Sequence, residues 1–243
     1  MKVLAIGNSF SQDAMALLSQ VAKANGENIK CVNLYIGGCS LEQHHRYMLG
    51  ESSEYSFEIN GITNTGIKIS LKEALLSDAW DYITLQQVSY CSPRYETYQP
   101  YLNTLAEYVK KHSPRAKIYI HETWAYEDDS YRLNSELHYE KSKDMYDDLK
   151  EAYSKAAKAI GADGIIRCGT AFEYSKQLGE INLHRDTFHA SIPYGRYLLA
   201  LTWYITLVGG TVNKETYKKL ELPLTEHQAK IALKSAQSAV ESI

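Results

Sequence analysis

The chain has 243 residues, 44% of them hydrophobic, and a formal net charge of −3. That length suits one large α/β domain or two small ones, and the apolar content excludes a disordered chain. The charge balance gives no basic footprint for nucleic acid, and no run is long and apolar enough to cross a bilayer, so neither partner is expected.

Val3 to Ile6 is a short apolar run of the kind a fully buried strand shows. Gly7 breaks it, and Asn8, Ser9 and Ser11 are residues that cap helices. Met15, Leu18, Val21 and Ala22 then recur at helical spacing. The pattern predicts strand, tight turn and one helix, with a hydroxyl at the turn. In a parallel sheet such a turn lies at the carboxyl end of the strand, where ligands bind. A serine there is a nucleophile, a phosphate ligand or only a cap.

Ile29 to Ile36 reads as a second strand stopped by Gly37-Gly38, and Ser40 as the cap of a following helix. Tyr55 to Ile69, with Asn60-Gly61 and Asn64-Thr65-Gly66, predicts a small hairpin inserted on the surface. Leu71 to Leu76 is a short helix. Trp80 to Gln87 is a third strand that ends in two amides, and Ser89 to Pro100 is a loop. Tyr101 to Lys111 is a helix ended by Ser113-Pro114. Ala116 to His121 is a fourth strand, followed by a polar segment to Ser135 long enough to lie over a site. Helices are predicted over His138 to Ile160, Ala171 to Leu178, Tyr194 to Leu207 and Pro223 to Ile243, the last capped at Thr225, with a short strand at Gly164 to Ile166. Strands alternate with helices throughout, which predicts a three-layer α/β/α sandwich on a parallel sheet. No linker or repeat divides it, so residues 1–243 are read as one domain.

Four features can carry chemistry. Ser9 is the first. The second is Asp186-Thr187-Phe188-His189, where a carboxylate three residues before an imidazole can hold its Nδ1–H and leave Nε2 free to take a proton. The third is Gly38, whose N–H can approach a ligand closely. The fourth is the pair Gln86 and Gln87, whose side-chain amides can donate to the same oxyanion. Each is weak alone, but all four fall where the strands of a doubly wound sheet converge. His121, Glu122 and Trp124 follow the fourth strand and can line the pocket. Trp124 and Tyr126 either stack on a sugar ring or pack as a lid on the core, and Tyr90 begins a tyrosine-rich wall of the cleft. The 20 tyrosines fit ordinary packing before sugar stacking. Adjacent His44 and His45 diverge on a helix and read as surface or rim. Cys39 has no base placed beside it by sequence, and Cys31, Cys39, Cys91 and Cys168 show neither zinc nor disulfide spacing.

The blocks Gly7-Asn8-Ser9-Phe10-Ser11, Gly37-Gly38-Cys39-Ser40-Leu41-Glu42, Leu85-Gln86-Gln87-Val88-Ser89 and Asp186-Thr187-Phe188-His189 together resemble the SGNH (GDSL-like) hydrolase superfamily, and more closely its DUF4886-type subgroup. Asn8 stands where the commoner motif has Asp, and the glutamines stand where most of the superfamily has Gly-x-Asn-Asp. The resemblance implies a flavodoxin-like fold without metal or organic cofactor. It implies Ser9 as nucleophile, His189 as base and Asp186 as its orienter. The Ser9 and Gly38 N–H groups would form the oxyanion hole, with Gln86, or else Gln87, as third donor and Asn8 beside the substrate. The reading is an esterase acting on a small O-acyl group, such as an O-acetyl on a carbohydrate. The alternative is a module that binds a glycan or phosphate without turnover; G-x-x-x-x-G-K-[ST] and G-x-G-x-x-G are both missing, which argues against nucleotides. Met1 leads straight into the first strand, so a cytoplasmic location is expected for the chain as given, export of a longer precursor aside. The oligomeric state is not legible.

Overall fold

The computed structural model describes residues 1–180 and 182–242. Among them the elements run β1 (Lys2–Gly7), α1 (Ser9–Met15), α2 (Leu18–Ala24), β2 (Lys30–Tyr35), α3 (Leu41–Leu49), β3 (Tyr55–Ile59), β4 (Lys68–Ile69), α4 (Leu71–Leu76), β5 (Tyr82–Leu85), α5 (Tyr101–His112), β6 (Lys117–Glu122), α6 (Ser142–Ile160), β7 (Gly164–Arg167), α7 (Cys168–Gln177), α8 (Tyr194–Leu207), α9 (Thr216–Lys219) and α10 (Glu226–Glu241). The seven strands form one sheet in the order β4-β3-β2-β1-β5-β6-β7. β1 lies between β2 and β5 with both pairings parallel, Leu4 facing Val32 on one side and Ile83 on the other. β6 and β7 continue the parallel pairing. Counted among the parallel strands alone the order is 2-1-3-4-5, the flavodoxin-like winding.

Burial explains the centre. Val3, Leu4, Ala5 and Ile6 are buried on both faces of the sheet, as a near-continuous apolar strand must be. Helices α1, α2, α7, α8 and α10 pack among themselves on one face, and α3, α4, α5 and α6 on the other. The chain leaves β1 toward one face and β5 toward the other, which opens a crevice between their carboxyl ends.

Three sequence expectations are corrected. The Tyr55–Ile69 hairpin is not a surface insertion: β3 pairs antiparallel with β2, and β4 with β3, so it extends the sheet at one edge and the sheet is mixed. The first helix is two helices. The break falls where the β3–β4 loop comes close, since a Cβ at Gly61 would stand 2.4 Å from the Ala16 carbonyl oxygen. The helix expected from His138 begins only at Ser142, whose N–H is taken by Asp128 Oδ1 at 2.6 Å. Ser40, Ser70 and Thr225 cap their helices, and Ser70–Glu73 and Thr225–Gln228 complete capping boxes. Ile243, the expected end of the last helix, lies outside the described residues. No helix among those described is long and apolar enough to cross a membrane.

The central strand carries the largest packing load, so Leu4→Ala is expected to cost about 2–5 kcal/mol in urea unfolding. Leu49→Ala, at a position 68% exposed, is expected to stay within about 0.5 kcal/mol.

Candidate active site

The turn after β1 is built by a glycine and an asparagine. A Cβ at Gly7 would stand 2.3 Å from Ser11 Oγ and 3.0 Å from Gln86 Oε1, so a side chain there would displace both from their hydrogen bonds. Asn8 is the N-cap of α1: its Oδ1 accepts from the Phe10 N–H at 3.0 Å. Its Nδ2 donates to the Cys39 carbonyl at 3.0 Å, which ties this turn to the one after β2. Ser9 is then the first residue of the helix, and its N–H has no acceptor within it. Ser11 turns inward to Asn33 Oδ1.

The histidine loop arrives from the other end of the chain. Ser9 Oγ lies 2.8 Å from His189 Nε2, across 180 positions of sequence. His189 Nδ1 lies 2.7 Å from Asp186 Oδ2, and the His189 backbone N–H donates to Asp186 Oδ1 at 2.8 Å. Thr187 between them has a left-handed φ of 69°, the conformation that folds the carboxylate back onto the ring. Partial burial alone would raise the Asp186 pKa. The hydrogen bonds from the His189 ring and backbone outweigh it and hold the carboxyl below its ordinary value. The support it gives is therefore complete above the ordinary carboxylate range and is lost as pH falls through the lowered value.

A fully buried carboxylate, Asp13 on α1, fixes where this loop sits. Its Oδ2 accepts from Arg185 at 2.8 Å and from the Ala190 N–H at 3.2 Å, and its Oδ1 accepts from Arg196 Nε at 2.9 Å. One turn beyond Ser9, it therefore grips the chain on both sides of Asp186–His189 and the start of α8. Trp124 Nε1 donates to the Phe188 carbonyl at 2.8 Å, and the Glu127 N–H to the Thr187 carbonyl at 2.8 Å, which fastens the loop to the segment after β6.

Ser9, Gly38, Val88, Ser89, Tyr90, Arg132, Phe188 and His189 surround a cavity of about 170 Å³, with Asn8 and Phe10 at its base. Gly38 has φ of +62°, and a Cβ there would meet nothing within 4 Å, so its backbone faces open space. Neither its N–H nor that of Ser9 has an acceptor among the described residues.

Several expectations do not hold. Gln86 does not line the cavity. Its Nε2 donates to Asn8 Oδ1 at 2.8 Å, and its Oε1 accepts from His121 Nδ1 at 2.7 Å. Gln87 is spent as a strap: Oε1 accepts from the Leu41 N–H at 3.0 Å and Nε2 donates to the Thr97 carbonyl at 3.0 Å. Both amides are buried in positioning work, not aimed at a substrate. Trp124 and Tyr126 are fully buried, so the lid-on-core alternative holds and sugar stacking does not. Trp124 stacks between Phe10 at 4.4 Å and Phe172 at 4.9 Å, and the Tyr126 hydroxyl meets Ser89 Oγ at 2.7 Å. Tyr90 is at the rim, 38% exposed. His121 and Glu122 are buried behind the site; Glu122 Oε1 accepts from the Thr170 N–H at 2.8 Å and so caps α7, which has no cap of its own. His44 is buried, not on the surface, with Nδ1 2.9 Å from the Tyr55 hydroxyl and 3.4 Å from Cys39 Sγ. Burial pushes the Cys39 thiol up to about 12, so it is no nucleophile despite that neighbour. Sequence reading missed Asp13 and Arg132. The signal for Asp13 was a charged residue on the apolar side of α1. Among the described residues no group of three His, Cys, Asp or Glu side chains is placed to hold a metal ion.

Residues 2–239 match the family described as Domain of unknown function (DUF4886), and the chain belongs to that family. A DUF4886 family protein from Bacteroides uniformis, solved by crystallography, is 30% identical over all of this chain and 95% of its own, with a TM-score of 0.86. A candidate SGNH hydrolase from Slackia heliotrinireducens is 24% identical over 84% of this chain and 96% of its own, TM-score 0.61. Axe2, an acetylxylan esterase from Geobacillus stearothermophilus, is 16% identical over 84% and 92%, TM-score 0.50. The fold is thus that of the SGNH hydrolases. The chain matches none of the curated proteins.

Two measurements check this geometry. Asp13→Asn leaves two guanidinium groups without their buried partner and is expected to cost roughly 3 kcal/mol in urea unfolding, well beyond a surface Asp→Asn change. Burial also pushes both His44 and His121 down to about 3. Between there and the ordinary value of about 6.5 the unfolded chain takes up protons that the folded chain refuses, so stability is complete above that window and falls as pH drops into it. Each histidine contributes at most about 1.4 kcal/mol per pH unit, and about half that near pH 6.5. Urea midpoints should therefore fall between pH 6.5 and 5, and a flat profile there would show that folding does not lower the proton affinity of the two rings.

Proposed function

We propose that this protein is a serine hydrolase that removes a small O-acyl group by way of an acyl-enzyme. The observation that carries the reading is the unbroken chain Ser9 Oγ, His189, Asp186, at 2.8 Å and 2.7 Å, opening onto the cavity. His189 Nε2 takes the hydroxyl proton as Ser9 Oγ attacks the ester carbonyl. Asp186 accepts from Nδ1–H, holds that tautomer and stabilises the imidazolium as it forms. The N–H groups of Ser9 and Gly38 receive the oxyanion of the tetrahedral intermediate. His189 then returns the proton to the leaving alcohol, and water repeats the cycle on the acyl-enzyme.

The size of the cavity supports a short acyl chain. At about 170 Å³ it has room for an acetyl group and the first atoms of the alcohol beside Ser9. The likeness in fold to an acetylxylan esterase is in keeping with an O-acetyl group on a carbohydrate, with Tyr90 as the one expected aromatic left at the rim. No cofactor enters these steps.

The test is turnover of p-nitrophenyl acetate together with labelling by a fluorophosphonate probe. Wild type is expected to hydrolyse the ester and to be labelled at Ser9. Ser9→Ala is expected to lose the label and at least about 10³-fold in rate. An unlabelled, inactive but folded wild type would leave a ligand-binding module instead.

A further inference from the structure

Arg132 has no part in the steps above, yet it stands at the cavity with Ser9 and His189. It opens a tight turn, Arg132–Glu136, whose next residue, Leu133, is fully buried and anchors it. The guanidinium carbon lies 4.4 Å from the centre of the Phe188 ring, and that ring packs on His189 at 4.0 Å. The cation is therefore held in place by stacking, beside the base. Among the described residues no carboxylate lies within ion-pair distance of it, in contrast to Arg185 and Arg196, which are both paired with Asp13. Asp186, the acid nearest in role, is turned onto His189.

Among the described residues the Tyr126 hydroxyl is the one polar side chain that engages the guanidinium; with no carboxylate counter-ion, the rest of its planar fork of donors is available for an incoming oxyanion. On the acetyl-ester reading the carbonyl carbon lies at Ser9 and carries only a methyl, so the group that reaches Arg132 and Tyr90 belongs to the alcohol half. We infer that the preferred substrates are esters whose alcohol half carries an anionic oxygen group, a carboxylate or a sulfate, such as an O-acylated acidic sugar, and that Arg132 selects them. This rests on the hydrolase reading of the same cavity.

The experiment compares three acetyl esters: 4-acetoxybenzoate, 4-acetoxybenzenesulfonate and the neutral methyl 4-acetoxybenzoate. The quantity read is the ratio of kcat/KM for each anionic ester to that for the neutral one, in wild type and in Arg132→Met, so that intrinsic differences in leaving group cancel. The ratio is expected to fall by about tenfold or more in Arg132→Met and to survive in part in Arg132→Lys, and to shrink in wild type as salt is raised. Whichever anionic ester shows the larger fall identifies the group, the aryl sulfonate standing in for a sulfate. A variant that slows all three esters equally would make Arg132 only a clamp on Phe188 and would overturn the inference. Binding of 4-acetoxybenzoate and its methyl ester to Ser9→Ala, measured by calorimetry, separates the two readings. If wild type turns over neither ester yet Ser9→Ala binds the anion selectively, and Ser9→Ala with Arg132→Met does not, hydrolysis falls and anion selection stands. Equal binding of both esters overturns it.

Discussion

The row of buried side chains that joins the carboxyl ends of four neighbouring strands is the constraint on which the site depends. His121, at the end of β6, donates to Gln86, beyond β5; Gln86 donates to Asn8, after β1; and Asn8 donates to the Cys39 carbonyl, after β2. Every member is nearly or wholly out of water, and apart from His121 Nε2, which is buried without a partner among the described residues, their side-chain polar atoms are hydrogen-bonded to one another, to the Phe10 N–H and to the Cys39 carbonyl, so the row permits little variation in geometry. The direction of the bonds also settles one proton. Gln86 presents its carbonyl to His121, so the imidazole must carry its hydrogen on Nδ1, and the low pKa caused by burial keeps the ring neutral and able to serve as that donor. What the row fixes is Asn8, and through its cap on Phe10 it fixes the first turn of α1 and the attitude of Ser9.

A second device, on the same helix, fixes the other half. Asp13 lies one turn beyond Ser9 and grips Arg185, the Ala190 N–H and Arg196. The serine and the imidazole it faces are thereby referred to one short rigid element, although 180 positions separate them. The two carboxylates near His189 divide the work by environment. Asp186 is partly exposed and bonded to the ring, where it can respond to a change of charge on the imidazole. Asp13 is buried between two guanidinium groups and serves to hold the loop. The loop's inner side is held again by Trp124, whose own ring is wedged between Phe10 and Phe172.

Most of the fold was legible because its signals are local. The β1 run, the glycines after β1 and β2, the caps at Ser40, Ser70 and Thr225 and the alternation of elements each need only a few adjacent residues. The hairpin's pairing with β2 was not, since strand neighbours at an edge are set by tertiary packing and not by the hairpin's own sequence. At the site, Ser9 and Gly38 were singled out because they follow strand ends, and Asp186 and His189 because they sit in a short Asp-x-x-His spacing that matches a family pattern; the structure brings all four to one cavity. Gln86 and Gln87 were assigned to the oxyanion because an amide at a strand end is polar whichever way it points; only the neighbours Asn8, His121, Leu41 and Thr97 decide that. Trp124 and Tyr126 were open for the same reason. Asp13 read as one more charge on a helix, and Arg132 as one more polar residue in a long loop, because what gives each its meaning comes from distant parts of the chain.

With Gln86 and Gln87 both bonded into the scaffold, the turn after β5 positions its neighbours. In the commoner pattern a side chain from this turn donates to the oxyanion. Here both amides are consumed by the scaffold, and the proposed acyl transfer is left with the backbone N–H groups of Ser9 and Gly38. Those donors need no side-chain order to stay aimed: Ser9 N–H is fixed by the α1 cap, and Gly38 N–H by a left-handed turn held through Cys39 by Asn8. The same asparagine therefore positions both. On the proposed acyl-transfer reading, a change at Gln86 would reach the oxyanion through Asn8, by loosening two donors together, and its effect on turnover would carry the signature of lost positioning at both and not of one missing hydrogen bond.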